Sequence, residues 1–527
     1  MTLADTKPSG ALAAFRQLLG ADAVSDDLAR RELLSQDIWS KGASVAELVL
    51  APDGVETLSR SVAEAGRRGL DIAVRGGGMS YTAGYVPGQA STVLLDLTRM
   101  NRVLEVNEGE MTVTVQAGCT WKTLHEALKP RGLRTPFWGP LSGVSSTIGG
   151  GLSQLNAVFG AGHYGTTSES VVGLAVVLAD GQVMRTGAAG RGAHPFYRHY
   201  GPDLTGLFCG DCGVFGVKAE VTLRLIRAPI REGYASFAFA DAQSMLRAAT
   251  EIVRSGTASE LVGFDPKLAE VRLKRASLLS GVRALGAVAA ANRSLLGGVK
   301  DALKIAAAGR GFLGEGEFSL HLIAEGRSTS GVEADVAEIR RIATAAGGKE
   351  TEASIPKVLR AQPFTPLNNI LGPDGERWVP VHGIVALSDA EDCWEQIQAL
   401  FESYAERFAA AGIYNGAMLT TLSTNACLIE PVFFWPEDRM AIHEATIEPA
   451  MLANLKRQPP NAAATELVAE ARQAVIGVFS RFGAAHFQVG RTYPWLDSLD
   501  PAARRLALGL KEALDPGRRL NPGGLGL

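Results

Sequence analysis

The sequence is poor in cysteine, is nearly neutral and contains no long apolar run. Five cysteines in 527 residues are too few for a dense disulfide framework and are typical of a reducing compartment. A net charge of −3 gives no electrostatic reason to expect nucleic acid as a partner. No run of about 18 uncharged apolar residues occurs, so we predict no transmembrane helix. The first residues lack a basic segment followed by an apolar one, so we expect no signal peptide and a cytoplasmic location.

Two of the cysteines, Cys209 and Cys212, have the spacing of a metal or redox motif without the rest of one. No second cysteine pair is present for zinc, and no helix is predicted to begin at Cys209. We therefore interpret both as small residues in a glycine-rich turn and predict no metal site.

The first half of the chain predicts mixed strands and helices. Apolar spacing across residues 47–75 indicates strand, helix and strand, and the second strand, DIAVR, runs into three consecutive glycines. Further patterns predict a strand in STVLLDL, a hairpin in VLEV and MTVTVQAG, a helix over about 121–129 and a strand pair joined at Asp180 and Gly181. These patterns predict an α+β fold rather than a repeat array.

From about residue 226 the composition changes, and strands alternate with helices near 331–346, 390–412 and 463–482. The segment 246–306 is rich in alanine and leucine with scattered arginine and lysine. We interpret it as helices that cover a core, with a membrane-surface helix as the alternative.

Glycine is concentrated in four clusters, at residues 76–78, 149–151, 160–165 and 213–216. The chain contains no GxxxxGK[ST] phosphate loop, and its GxGxxG match at 160–165 does not join a strand to a helix, which disfavours a Rossmann site. A single turn needs one or two glycines, whereas several clusters suit one long ligand that lies against many backbone segments. A dinucleotide has that shape.

In five pieces the sequence resembles the vanillyl-alcohol oxidase and p-cresol methylhydroxylase flavoprotein family. They are VRGGGMSYTAGYVP, STIGGGLSQ, YGTTSESVVGLAVVLADGQVMRTG, GPDLTGLFCGDCGVFGVKAEVTLRL and LKEALDPGRRLNPGGLGL. The resemblance implies an FAD-binding domain of the p-cresol methylhydroxylase type, with two α+β subdomains, over residues 1–226 plus 480–527. It implies an α+β cap, or substrate, domain with an antiparallel sheet flanked by helices over residues 227–479.

By position, the resemblance implies which residues contact FAD. The pyrophosphate would lie against Arg75, Gly76, Gly77, Gly78, Met79, Ser80 and Tyr81. The flavin ring and ribityl chain would lie near Pro140, Thr147, Gly149, Gly150, Tyr164 and Gly165, and the adenine end near Gly216 and Val217, with Asn521 in the closing tail.

Met79 stands where some branches of the family carry the histidine that bonds covalently to flavin. The family's other two attachment positions fall near Asn425 to Cys427, which contains no histidine, and within 368–378, which contains no tyrosine. We therefore predict that FAD is bound non-covalently and that Met79 packs beside it.

The residues expected to act on the substrate differ from those of the phenol-oxidising members. Leu141 stands where those members carry an aspartate, and their phenolate-binding Tyr-Arg pair aligns with His486 and Phe487. The metal signature H-x-G-D-G-N-x-H of the 2-hydroxy-acid branch is absent.

Two short segments offer substitutes. We predict that HFQVGR is a strand with His486 facing the flavin as the proton acceptor, assisted by Arg491 and Tyr493. In WVPVHGIV, Trp378 and His382 share a predicted strand face and are candidate substrate contacts.

The sequence thus predicts an FAD-dependent oxidoreductase that takes hydride from an alcohol or benzylic carbon of a small, partly aromatic substrate. Oxygen, a cytochrome or another carrier would accept the electrons, and a homodimer is possible. The alternatives are a 2-hydroxy-acid dehydrogenase of the same superfamily and a flavin-binding protein that has lost its catalytic base.

Overall fold

The structure is a computed structural model that describes residues 10–278 and 316–527. Within these residues, helices and sheets are interspersed along the chain, which confirms the predicted α+β class. The part of the alanine-rich segment beyond residue 278 lies outside the described residues.

The first sheet carries the glycine loop at the end of one strand. Its strands are β1 (Val24–Ser25), β2 (Leu48–Leu50), β3 (Asp71–Arg75) and β4 (Thr92–Asp96), in the order β1-β2-β4-β3. β4 runs parallel to both β2 and β3. The predicted strand–helix–strand unit is confirmed, although β4 separates its two strands in the sheet. β3 ends at Arg75, so the three glycines begin where the strand stops.

The second sheet is antiparallel and has the order β5-β6-β10-β8-β9. Its strands are β5 (Val103–Asn107), β6 (Thr112–Gln116), β8 (Val171–Val177), β9 (Val183–Arg185) and β10 (Val217–Arg224). A separate antiparallel pair is formed by β7 (Leu133–Arg134) and β11 (Ile226–Arg227). Both predicted strand pairs of this region are confirmed.

The third sheet, which we call the cap sheet, has eight antiparallel strands. They are β12 (Arg231–Phe239), β13 (Glu260–Phe264), β14 (Phe318–Gly326), β15 (Lys349–Thr351), β16 (Arg377–Pro380), β17 (Gly383–Ala386), β18 (Tyr414–Leu422) and β19 (Ala426–Trp435). The order is β15-β12-β14-β13-β18-β19-β16, and β17 also pairs with β19.

Helices cover these sheets. Within the described residues they are α1 (Gly10–Leu19), α2 (Leu28–Leu34), α3 (Val55–Arg67), α4 (Trp121–Leu128), α5 (Ile148–Gln154), α6 (Ala161–Tyr164), α7 (Ala242–Ser255), α8 (Pro266–Leu278), α9 (Thr329–Ala345), α10 (Ser354–Ala361), α11 (Ala390–Ala411), α12 (Ala441–Thr446), α13 (Pro449–Leu452), α14 (Ala462–Arg481), α15 (Trp495–Ser498) and α16 (Pro501–Leu514). The four helices predicted near 121–129, 331–346, 390–412 and 463–482 are confirmed as α4, α9, α11 and α14.

The two faces of the cap sheet have different neighbours because side chains alternate along each strand. On one face Leu419, Ile429 and Phe433 join the main core. On the other, Met418 and Val432 pack in a cluster that also contains α8 residues such as Leu268 and Val271. Residues of β19 that alternate with the core-facing ones therefore face α8 and the space beside it.

The C-terminal tail returns to the first sheet. The Ile72 N–H donates to the Arg519 carbonyl at 2.8 Å, and the Asn521 N–H donates to the Ile72 carbonyl at 2.7 Å. Lys511, which is fully buried, donates to the Asp515 carboxylate and to the carbonyls of Val214 and Leu520. The tail thereby closes over the edge strand β3. The division into residues 1–226 plus 480–527 and 227–479 stays a prediction; the cap sheet lies entirely within the second range.

Candidate active site

The glycine loop after β3 is pressed against a second loop. A Cβ on Gly76 would overlap the Thr147 side chain, and a Cβ on Gly77 would overlap the Ser145 carbonyl. Gly78 has φ = +73°, a conformation that favours glycine. Close packing between two backbone segments therefore explains the glycines at 76 and 77, and the backbone conformation explains the one at 78.

The second loop begins a short helix. The Thr147 hydroxyl accepts a hydrogen bond from the Gly150 N–H at 3.2 Å and caps α5. A Cβ on Gly149 would lie 2.6 Å from the Ala117 Cβ, so this residue too is held against a neighbouring segment. We call residues 76–78 and 147–151 the glycine cradle.

A cavity of about 230 Å³ extends from the glycine cradle to the cap sheet. Of the residues predicted to contact cofactor or substrate, it is lined by Gly76, Gly77, Gly78, Met79, Ser80, Tyr81, Pro140, Thr147, Gly149, Gly150, Gly216, Val217 and Trp378. The cavity is not lined by Arg75, Tyr164, Gly165, His382, His486, Arg491, Tyr493 or Asn521. The structure thus brings together most of the predicted cofactor contacts, one of the two predicted substrate contacts and none of the three predicted catalytic residues.

The cradle has the features that a dinucleotide requires. Its glycines leave backbone facing the cavity, and the adjacent Arg75 guanidinium lies 5.7 Å from the centre of the Tyr85 ring. The Arg75 Nε is buried and has no hydrogen-bond partner among the described residues. Glycine backbone that faces the cavity suits a phosphate, because N–H groups without neighbouring side chains can donate to its oxygens. Arg75 does not line the cavity and lies behind the cradle. The lining also includes Lys218, whose ammonium pairs with the buried Asp211 carboxylate at 2.5 Å.

Asn521 and Arg491 hold the tail rather than face the cavity. The Asn521 amide donates to the carbonyls of Gly84 and Cys212 at 2.7 Å each. The Arg491 guanidinium donates to the Asn521 side-chain oxygen at 2.9 Å and to the carbonyls of Ala83, Val86 and Pro522. These contacts tie the C-terminal tail to the segment that follows the glycine loop.

The predicted strand over HFQVGR is wrong. The only strand-like pairing in this segment is a single bridge between Ala485 and Ile384, and Gln488 has φ = +49°. The alternation expected for a strand is lost, and Phe487 and Gln488, rather than His486, line the cavity.

His486 belongs to a stack of rings behind the cavity. Its ring centre lies 4.0 Å from that of Tyr493, and its Nδ1 donates to the His382 carbonyl at 2.7 Å. His382 is fully buried and stacks on Phe487 with ring centres 3.9 Å apart. Burial lowers the pKa of both histidines, so the stack is uncharged at neutral pH.

Aromatic and apolar side chains of the cap form the far wall of the cavity. Trp378 on β16 meets the edge of Tyr81 with ring centres 5.8 Å apart, and the Tyr81 hydroxyl accepts from the Gln488 amide at 2.9 Å. Burial raises the pKa of Tyr81, and the nearby Glu430 raises it further. Met418 and Leu428 complete an apolar surface.

Two charged residues of the same wall, Arg272 and Glu430, were not predicted. Glu430 is a lone carboxylate in the apolar strand sequence CLIEPVFFW, which is a signal that sequence reasoning could have used. Arg272 is one of several basic residues on α8, and nothing in the sequence distinguishes it from the others. We call Trp378, Met418, Leu428, Glu430 and Arg272 the cap wall.

Other expectations concern the cysteines, metals and membranes. Cys212 is buried and its sulfur accepts from the Gly490 N–H at 3.3 Å, in the glycine-rich turn that was predicted. Within residues 10–278 and 316–527, no three His, Cys, Asp or Glu side chains are grouped as metal ligands would be. None of the described helices is both long and apolar enough to cross a bilayer.

Comparison with known proteins places the glycine cradle within a segment that matches a cofactor-binding family. Residues 46–187 match the FAD binding domain family. The chain is 33% identical over 213 residues to glycolate oxidase subunit GlcD of Bacillus subtilis, covering 40% of this chain and 44% of that protein. It is 30% identical over 254 residues to a probable mitochondrial D-lactate dehydrogenase of Danio rerio, covering 48% and 50%. The matches thus span about half or less of these relatives' lengths.

The whole fold is that of solved flavoproteins. The structure of p-cresol methylhydroxylase with bound substrate superimposes with a TM-score of 0.71 at 18% identity, covering 98% of this chain and 96% of that one. This likeness confirms the predicted p-cresol methylhydroxylase type of fold, cap included. The match of residues 46–187 to the FAD binding domain family gives FAD as the cofactor of the chain.

Proposed function

We propose that the chain is an FAD-dependent oxidoreductase that takes hydride from the CH–OH or benzylic carbon of a small, partly aromatic substrate. The observation that supports it is that a single cavity joins the glycine cradle to the cap wall. A cofactor held in the cradle and a substrate held against the wall would share that space, as direct transfer between them requires. When bound, FAD supplies the hydride acceptor.

The chain's own residues would bind and orient the substrate. Trp378, Tyr81 and Phe487 offer aromatic surfaces for a planar substrate, and the Gln488 amide lies among them. Met418 and Leu428 give an apolar surface that excludes water. The stack of His382, His486 and Tyr493 packs against Phe487 and Tyr81, so we propose that His486 positions these two rings.

Two alternatives follow from specific observations. The relatives named for glycolate and D-lactate favour a 2-hydroxy acid as substrate. A flavin-binding protein without catalysis is favoured by Leu141 and Phe487, which line the cavity where the phenol-oxidising proteins carry polar residues. Oxygen or a cytochrome as the electron acceptor, a homodimer and a cytoplasmic location remain part of the proposal.

Anaerobic reduction of the bound flavin tests the proposed function. Purified protein would be mixed without oxygen with aromatic alcohols, alkylphenols and 2-hydroxy acids, and flavin absorbance would be followed. Bleaching by an aromatic alcohol or alkylphenol supports the proposal, and bleaching by hydroxy acids alone supports the first alternative. Bleaching by dithionite but by no candidate substrate would favour the binding protein. Trp378→Leu is the matched variant, and it should weaken substrate binding while retaining FAD.

A further inference from the structure

Arg272 presents an unpaired positive charge to the cavity. Its guanidinium carbon lies 4.4 Å from the centre of the Phe264 ring, and the residue lines the cavity on the cap side. Among residues 10–278 and 316–527, it has no hydrogen-bonding or ion-pair partner, and its Nε is buried. A desolvated guanidinium without an acceptor is costly. Arginine is also the side chain best suited to bind a carboxylate through two parallel hydrogen bonds.

Glu430 is the acidic residue whose charge interacts with that of Arg272. It lines the same cavity, and Arg272 lowers the pKa of its carboxyl, but burial dominates and raises that pKa to about 7. No ion pair joins the two side chains in the described part of the chain. His321, which also feels the charge of Arg272, has a pKa lowered to about 3 by burial and is neutral. Near neutral pH, the positive charge of Arg272 is therefore only partly compensated.

The other cationic residue of the lining is already paired. Lys218, on β10, forms an ion pair with the buried Asp211 at 2.5 Å. Arg272 is thus the one unpaired cation among the described residues that line the cavity. A single guanidinium beside aromatic and apolar groups can bind both oxygens of one carboxylate on a small organic molecule.

We propose that Arg272 binds a carboxylate of the substrate, and that Glu430 competes with this carboxylate for the same guanidinium. The inference rests on the proposed function and narrows it to substrates that carry an acid group in addition to the oxidised carbon. The substrate carboxylate would accept hydrogen bonds from the Arg272 guanidinium while Glu430 is protonated. Binding of the anion is then linked to uptake of one proton.

The linkage predicts the direction in which anion affinity changes with pH. The titratable groups that face Glu430 are Arg272 from α8, Tyr81 from the glycine loop and Tyr493 from the C-terminal segment. Burial raises the pKa of both tyrosines, so they stay neutral and Glu430 alone titrates near neutrality. Below pH 7 Glu430 is protonated and leaves Arg272 free. As pH rises through 7, Glu430 ionises and anion affinity begins to fall, and above the pKa of Glu430 it should fall by about tenfold per pH unit.

Calorimetric titration of the FAD-loaded protein with acids and their neutral amides tests this directly. The probes are benzoate against benzamide and butyrate against butyramide, measured from about pH 6 to pH 9. Binding is read independently of turnover, so the outcome does not depend on finding the true substrate. We expect at least one acid to bind more tightly than its amide at pH 6 and to lose that advantage at pH 9.

Two variants test whether Arg272 and Glu430 cause the preference for the acid and its dependence on pH. Arg272→Met should raise the dissociation constant of the acid by about 10–100-fold, the usual effect of losing a charged hydrogen-bond partner, and leave the amide unchanged. Glu430→Gln should bind the acid at pH 9 as tightly as the wild type does at pH 6. If neither acid binds better than its amide in the wild type, the proposal is overturned even if Arg272→Met fails to fold. An unchanged affinity in a folded Arg272→Met protein would overturn it too. Flavin bleached by uncharged alcohols alone would leave the proposed function standing and this inference refuted.

Discussion

The glycine cradle and the cap wall bound the same cavity but are built in different ways. In the cradle, segments contact one another through backbone, and a Cβ on Gly76 or Gly77 would strike a neighbour. In the cap wall, single side chains from β16, β18, β19 and α8 converge, and the backbone behind them is ordinary sheet and helix. A backbone-built site tolerates little change in sequence. A wall of side chains can be altered one residue at a time, so the two halves should respond differently to mutation.

The largest effect is expected in the cradle. Gly77→Asp places a Cβ on the Ser145 carbonyl and a carboxylate beside the position proposed for the pyrophosphate, combining overlap with charge repulsion. We expect purified protein without yellow colour. Gly88→Asp is the matched control, since Gly88 is exposed and a Cβ there would meet no atom within 4 Å. Flavin absorbance at normal levels in Gly77→Asp would show that the ligand lies elsewhere.

The second expected effect concerns the attachment of the flavin. Acid precipitation of the wild type should release all of its FAD into the supernatant, because the thioether of Met79, which lines the cavity, forms no bond with flavin. The absorbance of supernatant and pellet at the flavin bands measures it. Flavin retained in the pellet would point first to Cys212, the cysteine that lines the cavity, rather than to Cys427, which is buried elsewhere. Burial raises the pKa of the Cys212 thiol to about 12, which disfavours such a bond.

The same contrast explains how far the sequence could be interpreted. Glycine clusters and apolar periodicities are local, and they predicted a dinucleotide site at the cradle and the helices α4, α9, α11 and α14. The family resemblance of the quoted segments predicted FAD. The cap wall depends on residues far apart in sequence, such as Arg272 and Glu430, whose meeting follows from the pairing of β18 and β19 and the packing of α8 on β18. The error at His486 has a specific cause. The backbone turns at Gln488, so period-two alternation assigned the histidine to the wrong side.

The smallest expected effect concerns His486 and tests whether this residue positions its neighbours or contacts the substrate. His486 does not line the cavity, and its Nδ1 is held by the His382 carbonyl while its ring stacks on Tyr493. Removing it should loosen His382 and Phe487 without deleting a group that touches the substrate. We expect His486→Ala to retain FAD and to slow anaerobic flavin reduction by about tenfold, below the 10²–10⁴-fold that loss of a direct proton acceptor usually costs.

The pH profile decides between support and proton acceptor. A group that positions others should leave the pH dependence of flavin reduction unchanged, since burial lowers the pKa of His486 and favours its neutral ring. Stopped-flow reduction from about pH 6 to pH 9 would be compared for the wild type and His486→Ala, with His163→Ala as a histidine control outside the cavity lining. A loss of more than 10²-fold, together with disappearance of a titration near neutrality, would restore His486 as the proton acceptor. A modest loss with the titration intact shows that a group other than His486 titrates, and Glu430, whose pKa burial raises to about 7, is the candidate.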